Sequence, residues 1–134
     1  MGYLREWEAE QESLRAMHKR GICILPGGDY GFAMTPHCQN ARDLEFFVKY
    51  LGMTPMEAIR SATLYGGQIM MKPDELGVIR DGYFADLLLV DGDPLANIAL
   101  LQDKDRILAV MKDGTFHKQP DVRSARSVMP ASVA

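Results

Sequence analysis

The chain has 134 residues, of which 47% are hydrophobic and 25% are charged, and its formal net charge at pH 7 is −3. This length corresponds to one domain with enough residues to bury a core, and the composition is that of an ordinary globular protein. The acidic balance without a Lys/Arg cluster argues against a nucleic-acid partner, and the longest apolar runs are far shorter than the roughly 20 residues of a membrane span.

The first predicted element is a helix over residues 3–20, followed directly by a buried strand. Apolar residues recur in the helix at near-helical spacing, with charged residues between them, and Gly21 is a natural stop. Residues 22–25 are apolar throughout rather than alternating, which is typical of a strand covered on both faces in a parallel sheet. Helix, glycine, buried strand and glycine-rich loop together indicate half of an α/β repeat.

A second helix is predicted to begin near Asn40, after a loop over residues 27–39. Asn40 is a residue type favoured at helix N-caps, and Asp43 would then lie in the first turn, where an acid suits the helix dipole. Four apolar residues follow at positions i, i+3, i+4 and i+7, which predicts one buried stripe. The stripe consists of Leu44, Phe47, Val48 and Leu51. Gly52 is predicted to end this helix.

Residues 54–57, Thr-Pro-Met-Glu, indicate the start of a third helix. The threonine can cap the helix, the proline fits the first helical position, and the glutamate completes a capping box. We expect the helix to run to about Thr63. Gly66 and Gly67 are then expected to interrupt the helical structure before a short apolar piece at residues 69–71.

The chain after Pro73 is predicted to be mainly β, unlike the α/β part before it. Strands are predicted from apolar runs at residues 77–79, 86–90 and 107–111. The pair Asp113-Gly114 joins the last of these to a strand at residues 115–118, because Asp-Gly is a strong hairpin signal. Residues 120–134 have no periodicity and are predicted to form a flexible tail.

Asp29 is the strongest candidate for chemistry, because it is an acid between glycines just after the first predicted strand. A carboxylate at the end of a strand can ligate a metal, or it can act as general base toward a metal-bound water whose pKa is lowered toward about 7. The alternative is that Asp29 only turns the chain or caps a helix. His37 can contact a substrate or bind a metal, but without a second ligand nearby an ordinary loop histidine is the alternative.

The remaining histidines and the two cysteines carry weaker signals. Cys38 can be a thiolate ligand or a nucleophile, although no neighbour in the sequence is placed to lower its pKa. His18 has no histidine four residues along its helix, so the pair of a helical zinc motif is absent, and His117 is expected on the surface. Cys23 and Cys38 make no disulfide framework, and reduced thiols in the cytoplasm are the simplest interpretation.

Four segments in a fixed order resemble the metal-dependent amidohydrolase superfamily, in particular its imidazolonepropionase- and prolidase-like members. The segments are Gly27-Gly28-Asp29, Thr35-Pro36-His37 with residues 40–45, residues 52–63, and residues 75–87 and 90–95 continued at 110–114. They are similar to the motif after the eighth barrel strand, the following loop and helix, the next helix, and the closing β segment. The resemblance covers about residues 15 to 118.

The resemblance implies an α/β fold: the last strand and helices of a (β/α)8 TIM barrel, joined to part of a small β-sandwich. Residues 1–72 would be the C-terminal end of the barrel, residues 73–119 the sandwich segment, and residues 120–134 a flexible tail. The implied reaction is hydrolysis of a C–N bond in a small-molecule amide, cyclic amide or dipeptide-like substrate by a metal-activated water.

For single residues, the resemblance implies a catalytic and metal-binding role for Asp29. It would be the acid at the end of strand eight, at the barrel face where active sites lie. It would contact a divalent metal, with zinc expected, take the proton of the attacking water and pass it to the leaving nitrogen. His37 would lie on the loop over the substrate.

The sequence departs from the family's pattern in its missing metal ligands. It has no His-x-His pair, and none of its three histidines lies on a barrel strand before the Asp29 loop. It is also much shorter than the roughly 250 residues of a whole barrel. We therefore expect a C-terminal third of an amidohydrolase that is inactive alone and forms homo-oligomers or associates through unpaired strand edges.

Two further interpretations stay open at this point. The chain can be a non-catalytic remnant or interaction module of amidohydrolase origin. Alternatively, it can come from a urease-like or dihydroorotase-like hydrolase, which shares the chemistry and differs in the substrate.

Overall fold

A computed structural model of the protein describes residues 2–120 and combines helices with one small sheet. The helices are α1 (Gly2–Lys19), α2 (Arg42–Phe46), α3 (Pro55–Ala62) and α4 (Leu64–Ile69), with a π-helical segment (Phe47–Leu51) that continues α2 and a 3-10 helix (Ile98–Gln102). The strands are β1 (Leu87–Val90), β2 (Ile107–Lys112) and β3 (Thr115–Lys118), which form an antiparallel sheet in the order β1-β2-β3.

The predicted helices are confirmed in position, but the predicted cap of the second one is wrong. The residue before α2 is Ala41, whose side chain makes no capping hydrogen bond, and Asn40 lies in a turn. The amide of Asp43 donates to the carbonyl of Asn40 at 3.2 Å, so a backbone turn begins the helix in place of a side-chain cap. Asp43 does lie in the first turn, and Gly52 ends the segment with a φ of 76°.

The third helix begins with the predicted capping box. The amide of Glu57 donates to the Thr54 hydroxyl at 3.2 Å, and the amide of Thr54 donates to the Glu57 carboxylate at 2.7 Å. The prediction that Gly66 and Gly67 interrupt the helical structure is wrong, because both lie inside α4. A Cβ atom at Gly67 would lie 2.5 Å from the carbonyl oxygen of Leu76, so this glycine allows a close backbone contact.

Two of the predicted strands are not strands in the structure. Residues 22–25 and residues 77–79 carry no regular secondary structure, and Ile79 is 90% exposed. A strand requires a hydrogen-bonded neighbour, and the sheet within residues 2–120 contains only β1, β2 and β3. The 22–25 segment instead packs on α3, where the buried Ser61 hydroxyl donates to the carbonyl of Ile24.

The predicted strands at residues 86–90, 107–111 and 115–118, and the hairpin between the last two, are confirmed. Asp113 and Gly114 both have positive φ, 48° and 73°, as a two-residue type I′ hairpin turn requires. The ammonium of Lys112 and the amide of Asp113 both donate to the Asp86 carboxylate, and they hold the pKa of Asp86 below its usual range. This carboxylate ties β1 to the turn. The predicted tail lies outside the described residues from position 121 onward.

The core lies between α2, α3 and the 3-10 helix. Leu44, Ala58 and Ile98 form its buried cluster, and the predicted stripe of the second helix faces it. Helix α1 packs on the π-helical segment: the Arg15 guanidinium Nε donates to the carbonyl of Tyr50 at 2.6 Å. No helix among residues 2–120 is both long and apolar enough to cross a bilayer.

Much apolar surface stays uncovered. Six hydrophobic residues are buried in the described part of the chain, whereas large apolar side chains are exposed on or beside most of its elements. The most exposed are Tyr3, Leu4, Phe32, Met34, Ile69, Met70, Met71, Ile79 and Leu88.

The two glycines of α4 provide a matched test of the packing against Leu76. Gly67→Ala should lower the free energy of unfolding by about 1–3 kcal/mol, because its methyl group overlaps the Leu76 carbonyl. Gly66→Ala has open space around its Cβ position and should be neutral or stabilising by up to about 1 kcal/mol. Urea unfolding of both variants measures the difference, and equal effects would contradict the contact.

The capping box predicts a pH-dependent stability. Glu57→Gln should lower the free energy of unfolding at neutral pH by about 1 kcal/mol. Hydrogen bonds from the Thr54 backbone and then its hydroxyl lower the pKa of Glu57 below its ordinary value. Because the pKa of Glu57 is lower in the folded state than in the unfolded state, the ionised carboxylate stabilises the fold at pH values above its ordinary pKa. This stabilisation is lost as the pH falls through the folded-state pKa.

We therefore expect the wild-type and Glu57→Gln unfolding curves, measured by thermal denaturation, to converge in that acidic range. Glu12→Gln removes another exposed carboxylate, on α1, and serves as the matched control with no such convergence. If Glu57→Gln lowers the stability by the same amount at neutral and at acidic pH, the assigned role of the carboxylate is contradicted.

Candidate active site

Asp29 lies in the loop between α1 and α2, and this loop folds back on itself. The Thr35 hydroxyl donates to the carbonyl oxygen of Asp29, and the amide of Gly31 donates to the carbonyl of Thr35 at 2.7 Å. Asp29 is exposed. The hydrogen bond that it accepts from Thr35 uses its backbone carbonyl and not its carboxylate.

The carboxylate of Asp43 holds the loop on both sides of Asp29. The amides of Gly27 and Gly28 donate to its Oδ2 atom at 3.1 and 3.0 Å. The Tyr30 hydroxyl donates to its Oδ1 atom at 2.6 Å. Three donors from four consecutive residues therefore converge on one acid in the first turn of α2.

Tyr30 is kept in its neutral, donating form. Burial, and then its hydrogen bond and charge interaction with Asp43, raise the pKa of Tyr30 to about 12. Both effects disfavour a phenolate, since burial penalises any charge and the Asp43 carboxylate repels a second negative charge. The phenol therefore stays a hydrogen-bond donor to Asp43 at neutral pH.

His37 lies against the same loop. A Cβ atom at Gly31 would be 3.2 Å from both Cε1 and Nε2 of the His37 ring, and Gly31 has a φ of 121° that favours glycine. The ring is therefore in contact with a residue two positions after Asp29. Cys38, the next residue, has a φ of 69°, a left-handed conformation that is unfavourable for a residue with a side chain.

The other candidates from the sequence lie on other elements. His18 is in the last turn of α1, with its Nε2 atom 3.8 Å from a carboxylate oxygen of Glu57 on α3. His117 lies on β3 and is exposed, as predicted. Cys23 is a free and exposed thiol rather than part of a buried strand.

The described residues do not complete a metal site. Residues 2–120 contain no group of three or more His, Cys, Asp or Glu side chains that could hold a metal ion. A metal site usually has at least three protein ligands, so Asp29 and its neighbours do not fit a metal centre by themselves.

Sequence reasoning missed the structural role of Asp43 and Tyr30. Asp43 was expected only as a favourable charge in the first turn of a helix, and the 13-residue separation from Tyr30 follows no periodicity that predicts a contact. The available signal was an acid at a helix start next to a glycine-rich loop with free amides. It indicates an acceptor but does not identify its donors.

The chain matches known proteins along most of its length. The model of the amidohydrolase family matches residues 7–116. Ochratoxinase from Aspergillus niger is 30% identical over 131 residues, which cover 90% of this chain and 26% of the relative. Imidazolonepropionase from Vibrio vulnificus is 22% identical over 114 residues, which cover 85% of this chain and 28% of the relative.

Solved structures of the same kind superimpose on the chain. The A. niger ochratoxinase structure has a TM-score of 0.72 at 31% identity, with 83% of this chain and 25% of that one covered. A Xaa-Pro dipeptidase with methionine bound in its active site has a TM-score of 0.70 at 31% identity, with 81% and 25% covered. The chain thus spans about a quarter of the length of these relatives.

The glycines before Asp29 provide a matched test of the loop geometry. Gly28→Ala places a methyl group 2.9 Å from the Tyr30 ring and 3.2 Å from the Asp43 carboxylate, so we expect a loss of about 1 kcal/mol of unfolding free energy. Gly27→Ala has open space and should be close to neutral. Thermal unfolding measures both, and a Gly28→Ala variant as stable as Gly27→Ala would show that the loop is not held as described.

Proposed function

The chain belongs to the amidohydrolase family, and on this premise we propose that it is the C-terminal part of a metal-dependent hydrolase that cleaves a C–N bond with an activated water. The single observation that carries the proposal is an exposed carboxylate, Asp29, in a loop held by hydrogen bonds on both of its sides. The geometry suits a group that must be positioned and yet accessible to a reactant.

The incompleteness of the chain is supported by its surface and by its relatives. The chain spans about a quarter of each relative, and large apolar side chains stay exposed on α1, on α4 and on the sheet. Residues 22–25 are apolar yet pair with no strand. We infer that neighbouring strands of a (β/α)8 barrel convert this segment into strand eight in the whole enzyme, and that the chain alone associates through such unpaired segments.

The domain division is part of the same proposal. Residues 1–72 supply the end of the barrel and residues 73–119 supply a β-sandwich segment that contains β1–β3. The two parts share a core, because Ile98 packs on Leu44 and Ala58.

We assign Asp29 the role of general base, with a second role as a metal ligand. Its carboxylate accepts the proton of the attacking water and passes it to the leaving nitrogen of the substrate. His37, in contact with Gly31, contacts the substrate from the same loop. Such proton transfer by a positioned side chain typically accelerates a reaction by about 10² to 10⁴.

The cofactor that we propose for the whole enzyme is a divalent metal, with zinc expected. Residues 2–120 offer no complete set of ligands, so its further ligands come from the part of the enzyme that this chain does not contain. Zinc favours nitrogen, sulfur and carboxylate ligands, and Asp29 can supply one carboxylate.

The proposed substrate is a small molecule with an amide, cyclic amide or dipeptide-like bond. The relatives by name include a Xaa-Pro dipeptidase and an imidazolonepropionase. The two free cysteines support a reducing compartment such as the cytoplasm. The alternative is a non-catalytic remnant or interaction module of amidohydrolase origin.

A hybrid enzyme distinguishes the two functions. The chain replaces the matching quarter of the Xaa-Pro dipeptidase, and the hybrid is assayed for bound zinc and for hydrolysis of Xaa-Pro dipeptides and simple N-acyl amino acids. We expect turnover, and we expect Asp29→Asn to lower kcat by at least about 100-fold. Asp81→Asn, which changes another exposed turn aspartate, is the matched control and should retain activity.

The 134-residue chain by itself should bind little zinc and show no hydrolysis, as measured by elemental analysis and by the same assay. A hybrid that folds and binds zinc but turns over equally well with Asp29→Asn would contradict the role of Asp29. Stoichiometric zinc in the isolated chain, together with turnover that Asp29→Asn removes, would contradict the need for further ligands.

A further inference from the structure

We propose that Asp43 is a positioning residue for Asp29: it holds the residues on both sides of the catalytic acid, through two backbone amides before it and a side-chain hydroxyl after it, and so determines where the Asp29 carboxylate is presented. This inference rests on the proposed function, because it takes Asp29 as the reacting group. Asp43 itself does not contact the substrate in this proposal. It acts through the loop.

The geometry gives Asp43 control of the residues that flank Asp29. Two of its partners, the amides of Gly27 and Gly28, come just before Asp29, and the third, the Tyr30 hydroxyl, comes just after it. Among residues 27–30, Asp29 is therefore the one residue that makes no hydrogen bond to Asp43, and it lies between the residues that do.

Asp43 can fix the loop because Asp43 is itself fixed. It lies in the first turn of α2, next to Leu44, which is 7% exposed and packs on Ala58 and Ile98 in the core. The amide of Asp43 also donates to the carbonyl of Asn40. The carboxylate thus transmits the rigidity of the packed core to a loop whose other residues are mostly exposed.

The loop sequence is adapted to this contact. A methyl group at position 28 would be too close to both the Tyr30 ring and the Asp43 carboxylate. A methyl group at position 27 would face open space. The three hydrogen bonds to an ionised carboxylate are stronger than the same bonds would be to a neutral acceptor in its place. The arrangement therefore calls for an acid at position 43 rather than merely a polar residue.

The consequence for catalysis is a specific kinetic signature. A general base must stay within a fraction of an ångström of its productive position, and a misplacement of about 1 Å can cost about 100-fold in rate. Loss of the Asp43 contacts should therefore lower kcat, because the base is misplaced. It should leave KM nearly unchanged, because the substrate contacts of the hybrid remain.

The first test uses the 134-residue chain and needs no activity. Amide hydrogen exchange at Gly27 and Gly28, followed by NMR, should become at least about tenfold faster in Asp43→Ala, because both amides lose their acceptor. Asp43→Asn, which keeps one acceptor oxygen, should give an intermediate increase. Glu45→Gln is the control, since its carboxylate bonds Gln102 and not the loop, and it should change neither rate. Unchanged exchange in Asp43→Ala overturns the proposal.

The second test uses the hybrid enzyme and separates positioning from folding. Asp43→Ala should lower kcat about 10- to 100-fold with KM within about threefold of the parent, and Asp43→Asn should restore part of kcat. Glu45→Gln should leave kcat unchanged. Faster loop exchange with an unchanged kcat, or a loss confined to KM, overturns the proposal. An inactive parent hybrid contradicts the proposed function, and in that case the exchange experiment alone decides whether Asp43 holds the loop.

Discussion

The packing of one short helical segment, residues 42–51, is the interaction on which the rest of the structure depends. Its buried face meets α3 and the 3-10 helix through Leu44, Ala58 and Ile98. Its far end receives α1 through the bond from Arg15 to Tyr50 and an edge-on contact between Trp7 and Tyr50 at 5.5 Å. Each of the other described helices, except α4, packs against this segment.

The same segment also sets the candidate site, because the residue beside the buried Leu44 is Asp43. In the first turn of α2, Leu44 packs in the core and the adjacent Asp43 binds the loop. The structure thereby separates two carboxylates by their surroundings. Asp43 accepts three hydrogen bonds, whereas Asp29, to which we assign the catalytic role, is exposed. Environments that differ in this way are how proteins give two acids different roles.

The described residues leave apolar side chains exposed and hold no complete set of metal ligands. Large exposed apolar side chains lie along α1, after α4 and on the sheet. The acid and histidine loop has no companion ligands within residues 2–120. Both features have the same physical origin in our proposal, since the strands that would pair with residues 22–25 are also the elements that would carry the other ligands.

The sequence by itself determined the features that depend on local chemistry. The capping box at Thr54, the left-handed turn at Asp113-Gly114, the stripe from Leu44 to Leu51 and the family membership follow from residue types at short spacing. Only the tertiary structure decided the features that depend on distant partners. Among residues 2–120, residues 22–25 have strand composition but no strand to pair with, and Gly67 lies inside α4 at a position where the approach of the Leu76 carbonyl leaves no room for a side chain. The hydrogen bonds from the Asp29 loop to Asp43 also depend on distant partners. They join residues 13 to 16 positions apart, and such a separation produces no periodic pattern in the sequence.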